Sequence, residues 1–515
     1  MNLIQKYNGN EYMLQRIQNH VITYLPNTLD TEQKNYEKRV NRNTYLTNEQ
    51  QNFIQVFLSK NNFYYLPNNN FYYEYDGEKF LIVKEDDVIH KLLSTISKDR
   101  VLMQWKYKTK INVIKLIKER TLFMCVPETD TIQNVLNVLY PSFFASKSAA
   151  KYFLTVIGDN IYKKNQGLIF LISQKMKYFT NELDNVAFSS IGYSNATHNF
   201  MTKYHENHTY DNCRLIRINE NFSNEVWREL LKRIGLDLLC VAAHYSKCYD
   251  NSDKFIENKA DEELKSYTYY IKNTNQNAIV NDFCNKYIDQ DTYTSDSYIE
   301  WKNLHFVWKQ FLSNSNLPNV IYSNNLKNML KERYNYNEIT DSFCGITSKH
   351  IPVYSDFIKF WENTIVSTPV IESYFDCEFE IDELSSLFKL WSKNNPDQLL
   401  KTGTVSEENI LKILKHFYPN IEIIEDKYVL NITCCLWDKI KDIDNSYAYI
   451  KERLKTENEL TLIPVDSVYN LYCKFCKSTV SKFVVSKRFF EKYLYYKFTE
   501  YIAYDKFIKI EWINT

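Results

Sequence analysis

The spacing of apolar and polar positions changes several times along the chain, and each change marks an element. Over Asn10–Leu25 and Thr47–Ser59 apolar side chains recur every three or four positions, the spacing of amphipathic helices, and Thr47 with Gln50 reads as a capping box for the second. Phe63–Leu66, Phe71–Tyr75 and Lys79–Val83 are aromatic or β-branched runs split by Pro67-Asn68-Asn69-Asn70 and by Asp76-Gly77, which predicts a three-stranded meander. Asp86 or Asp87 then caps a helix reaching about Ser97. Helical spacing returns over Ser148–Ile161 and Met176–Ala187, with the apolar run Leu168–Ile172 between them as a buried strand. A further strand is expected at Arg214–Ile218 and a core helix at Glu225–His244, while the polar stretch Asn251–Glu263 reads as an exposed connection.

Toward the C-terminus three segments superimpose without gaps: Ile299–Leu312, Phe379–Ser392 and Ile463–Cys476. Trp301, Ile381 and Val465 share a column, as do Leu304, Leu384 and Val468, then Trp308, Phe388 and Tyr472. Asp382 and Asp466 stand where an N-cap belongs. Farther on, Ser323, Ser406 and Ser486 each precede a second apolar-periodic run. In the last two copies hairpin patterns follow, at Glu422–Ile424 with Val429–Thr433 and at Tyr501–Ala503 with Phe507–Trp512 across Tyr504-Asp505. Helix, turn, capped helix and hairpin is the order of a winged helix-turn-helix.

Composition narrows the function classes. A chain of 515 residues exceeds one core, and 63 basic against 63 acidic residues leave no global field for a polyanion, so any nucleic-acid surface must be local. The eight glycines never fall within five residues of one another; a Walker A loop and a dinucleotide fingerprint both need closer glycines, because only there can backbone amides crowd a phosphate. Nucleotide hydrolysis is therefore not expected. The longest apolar runs, Leu168–Ile172 and Leu236–Ala243, are far below the roughly 20 residues of a membrane helix, and Met1–Tyr7 shows no secretory pattern. The eleven cysteines read as reduced thiols of an intracellular protein. Heavy use of Asn, Lys, Ile and Tyr is what AT-rich codons give, as in large DNA viruses or certain protists.

Charge is concentrated locally. Between Lys91 and Lys177 there are 15 Lys and Arg against 5 acidic residues, densest where Arg100, Trp105, Lys106, Tyr107, Lys108, Lys110, Lys115, Lys118 and Arg120 interleave cations with aromatics. Two readings stand: a surface that tracks phosphates and stacks bases, or a solvated helix face whose Ile111, Ile114 and Ile117 pack inward. On the last repeat Lys487, Arg488 and Lys492 fall on the presumptive recognition helix and are expected to reach phosphates, whereas Glu407 and Glu408 at the equivalent place of the second repeat would repel them.

The phrase Ile463-Pro-Val-Asp-Ser-Val-Tyr-Asn-Leu-Tyr-Cys-Lys-Phe-Cys, with Ser486-Lys-Arg-Phe-Phe beyond it, resembles the C-terminal winged helix of poxvirus-type and phage primase-helicases, the superfamily 3 helicases. Phe71–Lys84 resembles the small domain before their motor, Ala149–Asp159 the helix leading into it, and Tyr210–Phe222 its last strand. The resemblance implies a phosphate loop after Ile172, where this chain reads Ser173-Gln-Lys-Met-Lys177, and only some 40 residues remain before Tyr210. The family pattern thus implies a helicase-like scaffold with its motor deleted, and no catalytic residue carries over.

His198, His205, His208 and Cys213 are the densest metal-capable group, but their spacing matches no standard zinc site, and no metal or cofactor is assigned. The expected class is α+β, mainly helical and multi-domain: N-terminal helices (1–62), a β-meander with a basic helical region (63–160), a degenerate α/β region (161–260), and three winged-helix-like modules (290–375, 376–445, 446–515). The expected function is a non-enzymatic nucleic-acid-binding or complex-assembling factor in viral replication or gene expression. The alternative is a protein-interaction scaffold in transcription or translation machinery, or in the virion. Expected partners are DNA or RNA and other viral or host proteins, with no membrane, in the host cytoplasm at the viral factory or packaged in the virion.

Overall fold

In a computed structural model of the chain, the described residues are 2–98, 100–219, 224–290, 297–367, 375, 377–394, 405–455, 462–479, 483–504 and 506–514. Met1, Phe222 and Asp505, named above, lie outside them. The protein is mainly helical α+β and forms two compact units, Met1–Ala278 with Asn316–Ser323, and Ile279–Ser315 with Asn324–Thr515. Among the described residues no helix is long and apolar enough to cross a membrane.

The first unit begins with α1 (Leu3–Lys6), α2 (Glu11–Asn19), a π-turn (His20–Tyr24) and α3 (Leu25–Lys60). The helix start expected at Thr47 does not exist: Thr47 lies inside α3, its Oγ1 donating to the Asn43 carbonyl at 2.8 Å. Pro26 stands in the first turn, where its missing N–H is harmless, and a Glu-, Gln-, Lys- and Arg-rich run free of Gly and Pro carries the helix on. Only its last third is docked, through Leu46, Gln50, Ile54, Phe57 and Leu58, while every residue from Gln18 to Tyr45 is exposed.

The meander follows as β1 (Asn62–Leu66), β2 (Phe71–Tyr75) and β3 (Phe80–Val83), antiparallel in the order β1-β2-β3. Its second turn is made by Gly77 at φ +101° and by the Asp76 carboxylate, which accepts the Glu78 and Lys79 amides at 2.9 Å. Next come α4 (Glu85–Lys98), a 3-10 turn (Arg100–Trp105) and α5 (Lys106–Glu119). Val88, Leu92, Ile96, Leu102, Val113 and Ile117 form a small core with the docked end of α3.

The larger core of this unit gathers α6 (Thr129–Leu139), α7 (Lys147–Ile161), β4 (Ile169–Leu171), α8 (Gln174–Ile191), β5 (Phe200–Met201), β6 (Cys213–Leu215) and α9 (Asn224–Tyr249). The three strands are parallel in the order β5-β4-β6. Helices α7 and α9 cross at Gly158, where a Cβ would stand 2.1 Å from the Ala242 carbonyl oxygen. The stretch expected to be an exposed connection is instead α10 (Ser252–Lys259) and α11 (Glu262–Thr268), followed by α12 (Tyr270–Asn273). Asn251 caps α10, and Ser252, Phe255 and Ile256 are buried; one adjacent apolar pair in a polar run anchors a short helix that composition hides. Arg214, 3% exposed, binds Asp253 of α10 through both Nε and Nη2 at 2.9 and 2.7 Å, tying this segment to β6.

The second unit repeats one topology three times. A leading helix, α13 (Gln276–Tyr287), α16 (Ile351–Thr364) or α19 (Lys439–Lys455), is followed by a short strand, β8 (Tyr298–Glu300), β13 (Glu378–Glu380) or β17 (Leu462–Pro464). Then come two helices, α14 (Trp301–Asn314) and α15 (Ser323–Lys331), α17 (Ile381–Asn394) and α18 (Glu407–Phe417), or α20 (Val465–Ser478) and α21 (Lys487–Lys497). A hairpin closes each copy: β9 (Tyr336–Asn337) with β10 (Ser342–Cys344), β14 (Ile423–Ile424) with β15 (Tyr428–Leu430), and β18 (Ile502–Ala503) with β19 (Phe507–Lys509). The sheets run β8-β10-β9, β13-β15-β14 and β17-β19-β18, the same winged-helix-like order each time. Additional strands β7 (Asp289–Gln290) with β11 (Ile346–Thr347), and β12 (Ile365–Ser367) with β16 (Ile432–Cys434), extend the first two copies.

One hydrogen bond recurs in every copy. The first residue of the second helix donates its amide to a wing carbonyl: Trp301 to Asp341 at 2.8 Å, Ile381 to Lys427 at 3.0 Å and Val465 to Lys506 at 3.0 Å. Leu304, Leu384 and Val468 are all buried one turn later, as the shared column requires. Two expectations are corrected. Asp382 and Asp466 sit inside the first helical turn rather than at the cap, where they still favour the positive end of the helix dipole. The strand expected over Val429–Thr433 breaks at Asn431, which turns through φ +57° so that β15 and β16 pair with different strands.

Candidate nucleic-acid interface

The basic, aromatic stretch lies on one surface of the first unit. Thr109, Val113 and Ile117 are the inward stripe of α5, spaced four apart. The expectation that Ile111 packs inward is wrong: it lies two positions off that stripe and is 66% exposed. Tyr107 is 77% exposed one turn before it. Lys108 holds its ammonium 4.0 Å above the ring of half-buried Trp105, and Lys106 donates to Ser97 Oγ at 3.1 Å. Lys110, Lys115 and Lys118 rim an open groove whose floor is Ile111 and Ile114 and which Glu85 and Glu119 also line. Among the described residues no carboxylate lies within ion-pair distance of Lys106, Lys108, Lys110, Lys115 or Lys118. Arg100 is exposed at the start of the preceding turn.

Arg120 does not belong to this surface. It is half-buried and donates from Nη1 to the Leu58 carbonyl at 3.1 Å, satisfying an orphan acceptor in the last turn of α3. In its place the fold brings Arg42, whose Nη2 donates to Gln104 at 2.6 Å. Lys34, Lys38 and Arg42 are exposed and four apart, so they line one face of α3 leading onto the platform. The spacing was legible, but only once 27–46 is read as helix.

The second expected contact, on α21, is engaged inside the protein. Arg488 donates from Nε to Glu378 Oε1 at 3.1 Å and stacks 3.8 Å over the Tyr428 ring; Lys492 reaches Glu378 Oε2 at 3.4 Å. Glu378 belongs to the preceding module and is 3% exposed. Lys487 pairs with Asp466 and with Glu491. Phe375 packs against Phe489, Tyr493 and Tyr496 on the same helix. The second module docks similarly. His416 of α18 donates from Nε2 to the Lys302 carbonyl at 2.9 Å, Lys302 reaches the Phe417 carbonyl at 3.1 Å, and Phe306 lies against both rings. Helices α18 and α21 of modules two and three therefore pack on the module before them. At the outer end of α18, Glu407, Glu408, Asp382 and Asp426 gather around a small pocket, an acidic setting that disfavours phosphate.

The metal-capable residues do not converge. Cys213 is buried in β6, His198 Nδ1 bonds the Asn195 carbonyl, and His208 accepts the His205 amide. Among the described residues no three His, Cys, Asp or Glu side chains are placed to hold an ion. All eleven cysteines are free thiols. In the turn after β4, Ser173 caps α8 by accepting the Met176 amide, and the Lys177 ammonium is held by the Phe200 carbonyl at 3.0 Å. Side chain and backbone there satisfy one another.

Fold and surface together define a mainly helical α+β protein with a cationic platform on α5 that has no carboxylate partner among the described residues, and a packed triple repeat. No family model, curated protein or solved structure matches the chain.

Proposed function

We propose that the chain is a non-enzymatic nucleic-acid-binding assembly factor, in the replication or expression of an AT-rich viral genome, that holds its ligand on the α5 platform. The reading is carried by one contrast: among the described residues the five lysines of α5 have no carboxylate partner, and two of them flank an exposed tyrosine, whereas the cations Lys487, Arg488 and Lys492 of α21 are engaged by Glu378, Asp466 and Glu491. Uncompensated lysines at short spacing release counterions when they meet a phosphate backbone, and that release drives affinity without base specificity. Filter binding of the full chain to single-stranded DNA, duplex DNA and RNA from low to high salt tests this; affinity that falls linearly in log salt is expected, and no binding to any of the three overturns it.

A second reading is favoured by the packing of α18 and α21. A helix that glues its own array together cannot enter a major groove, so the triple repeat acts as a spacer that presents protein-docking surfaces. Partners that stay bound after nuclease treatment of a pull-down would support this role for the second unit.

A further inference from the structure

Resting on that platform reading, we infer a narrower ligand: the groove beside α5 takes an unpaired base, so the protein selects single-stranded over duplex nucleic acid. Three observations bear on it. The floor of the groove is apolar, Ile111 and Ile114, and an apolar floor gains nothing from a sugar-phosphate backbone. Its rim is cationic, with Lys110, Lys115 and Lys118 placed where phosphates on either side of a seated base would pass. Tyr107, one turn before Ile111, offers a ring with most of its surface free. In a duplex the faces of the bases are already stacked on one another and only phosphates and groove edges remain; in a single strand every base has an open π-face.

The lining is also polar. Glu85 lines the groove, and so does Lys118. The Glu85 carboxylate accepts and the Lys118 ammonium donates, which suits the edge of a base, whose exocyclic amines and carbonyls come in such pairs. The face of α5 thus presents a stacking ring at Tyr107 and, one turn on, a groove with an aliphatic floor, ammonium groups and the Glu85 carboxylate.

Fluorescence anisotropy of the full chain with a labelled oligo-dT, a labelled oligo-U and a duplex of equal length, over a salt series, tests the inference. Single strands are expected to bind at least about tenfold tighter than duplex. Tyr107→Ala should weaken them roughly 5- to 100-fold, the range for one lost base stack, with the salt slope unchanged and duplex affinity unmoved. Ile111→Ser should act in the same direction. Both positions are exposed, and an unchanged thermal midpoint verifies the fold. Equal affinity for duplex and single strand, or variants that weaken both alike or neither, overturns the inference and leaves the platform reading in place; no salt-dependent binding of any probe overturns both.

Discussion

Arg488 meets Glu378 across a module boundary, Nε to Oε1 at 3.1 Å, and the carboxylate is almost dry while the guanidinium is 43% exposed. That asymmetry says which partner matters. A buried carboxylate keeps its charge only while cations attend it, whereas a half-exposed arginine can turn to water. Glu378→Gln is therefore expected to lower stability by about 1–2 kcal/mol, the net worth of charge-assisted bonds discounted for exposure. Arg488→Met should cost less, because Lys492 still reaches the same carboxylate. Chemical denaturation measures both, and limited proteolysis should show cleavage between modules two and three rising in the first variant alone.

His305 and His416 give the other junction a pH dependence. Burial, with Lys309 close to each, pushes both imidazoles down to about 4. In the unfolded chain each returns to about 6.5. Between those values the unfolded state binds more protons, so the contribution is fully present above pH 6.5 and is lost as pH falls toward 4. A shift of that size corresponds to at most about 3 kcal/mol per histidine, and less where the ring is partly solvated. Urea midpoints taken from pH 7.5 to 4.5 should decline, and the decline should flatten in a His305→Gln, His416→Asn double variant. An equal slope in the variant would locate the titration elsewhere.

Gly158 allows no side chain. A Cβ there would stand 2.1 Å from the Ala242 carbonyl oxygen and 2.7 Å from Ser246 Cβ, and both neighbours belong to a helix held along its length. Gly158→Ala is expected to destabilise the first unit by about 2–3 kcal/mol, because spreading two packed helices disturbs every layer between them. The opposite expectation, a gain from helix propensity, holds only where a methyl group has room. A thermal melt decides the sign.

The repeat was legible because its apolar columns keep register over three equal helices, and a 14-residue helix with five or six buried positions carries enough periodicity to be seen. The strands before those helices were not. Tyr298–Glu300, Glu378–Glu380 and Leu462–Pro464 are three residues each, too short for an alternation, and they exist because the wing of the same copy supplies a partner. The basic platform was legible as composition, since its cations are neighbours in sequence. The fate of Arg488 was not, because its counter-ion is 110 positions away in another module. Arg120 went wrong for a related reason: a cation in a basic run looks like its neighbours until the helix end it caps is known.

Arg120 and Lys115 now separate structure from binding. Lys115 is exposed on the groove rim, and Arg120 is half-buried with its guanidinium on the Leu58 carbonyl. If the platform binds phosphates, Lys115→Glu should weaken nucleic acid at every sequence tested and reduce the salt slope by about 0.7 to 0.9 for the contact removed, with no change in melting. Arg120→Ala should do the reverse. It leaves a carbonyl of α3 unsatisfied and loosens the join between that helix and α5, at a cost of about 1–2 kcal/mol, yet removes no phosphate contact. Paired salt titrations and melts of the two variants measure all four quantities. A lower slope for Arg120→Ala with an unchanged melt would put its guanidinium on the ligand rather than on the fold.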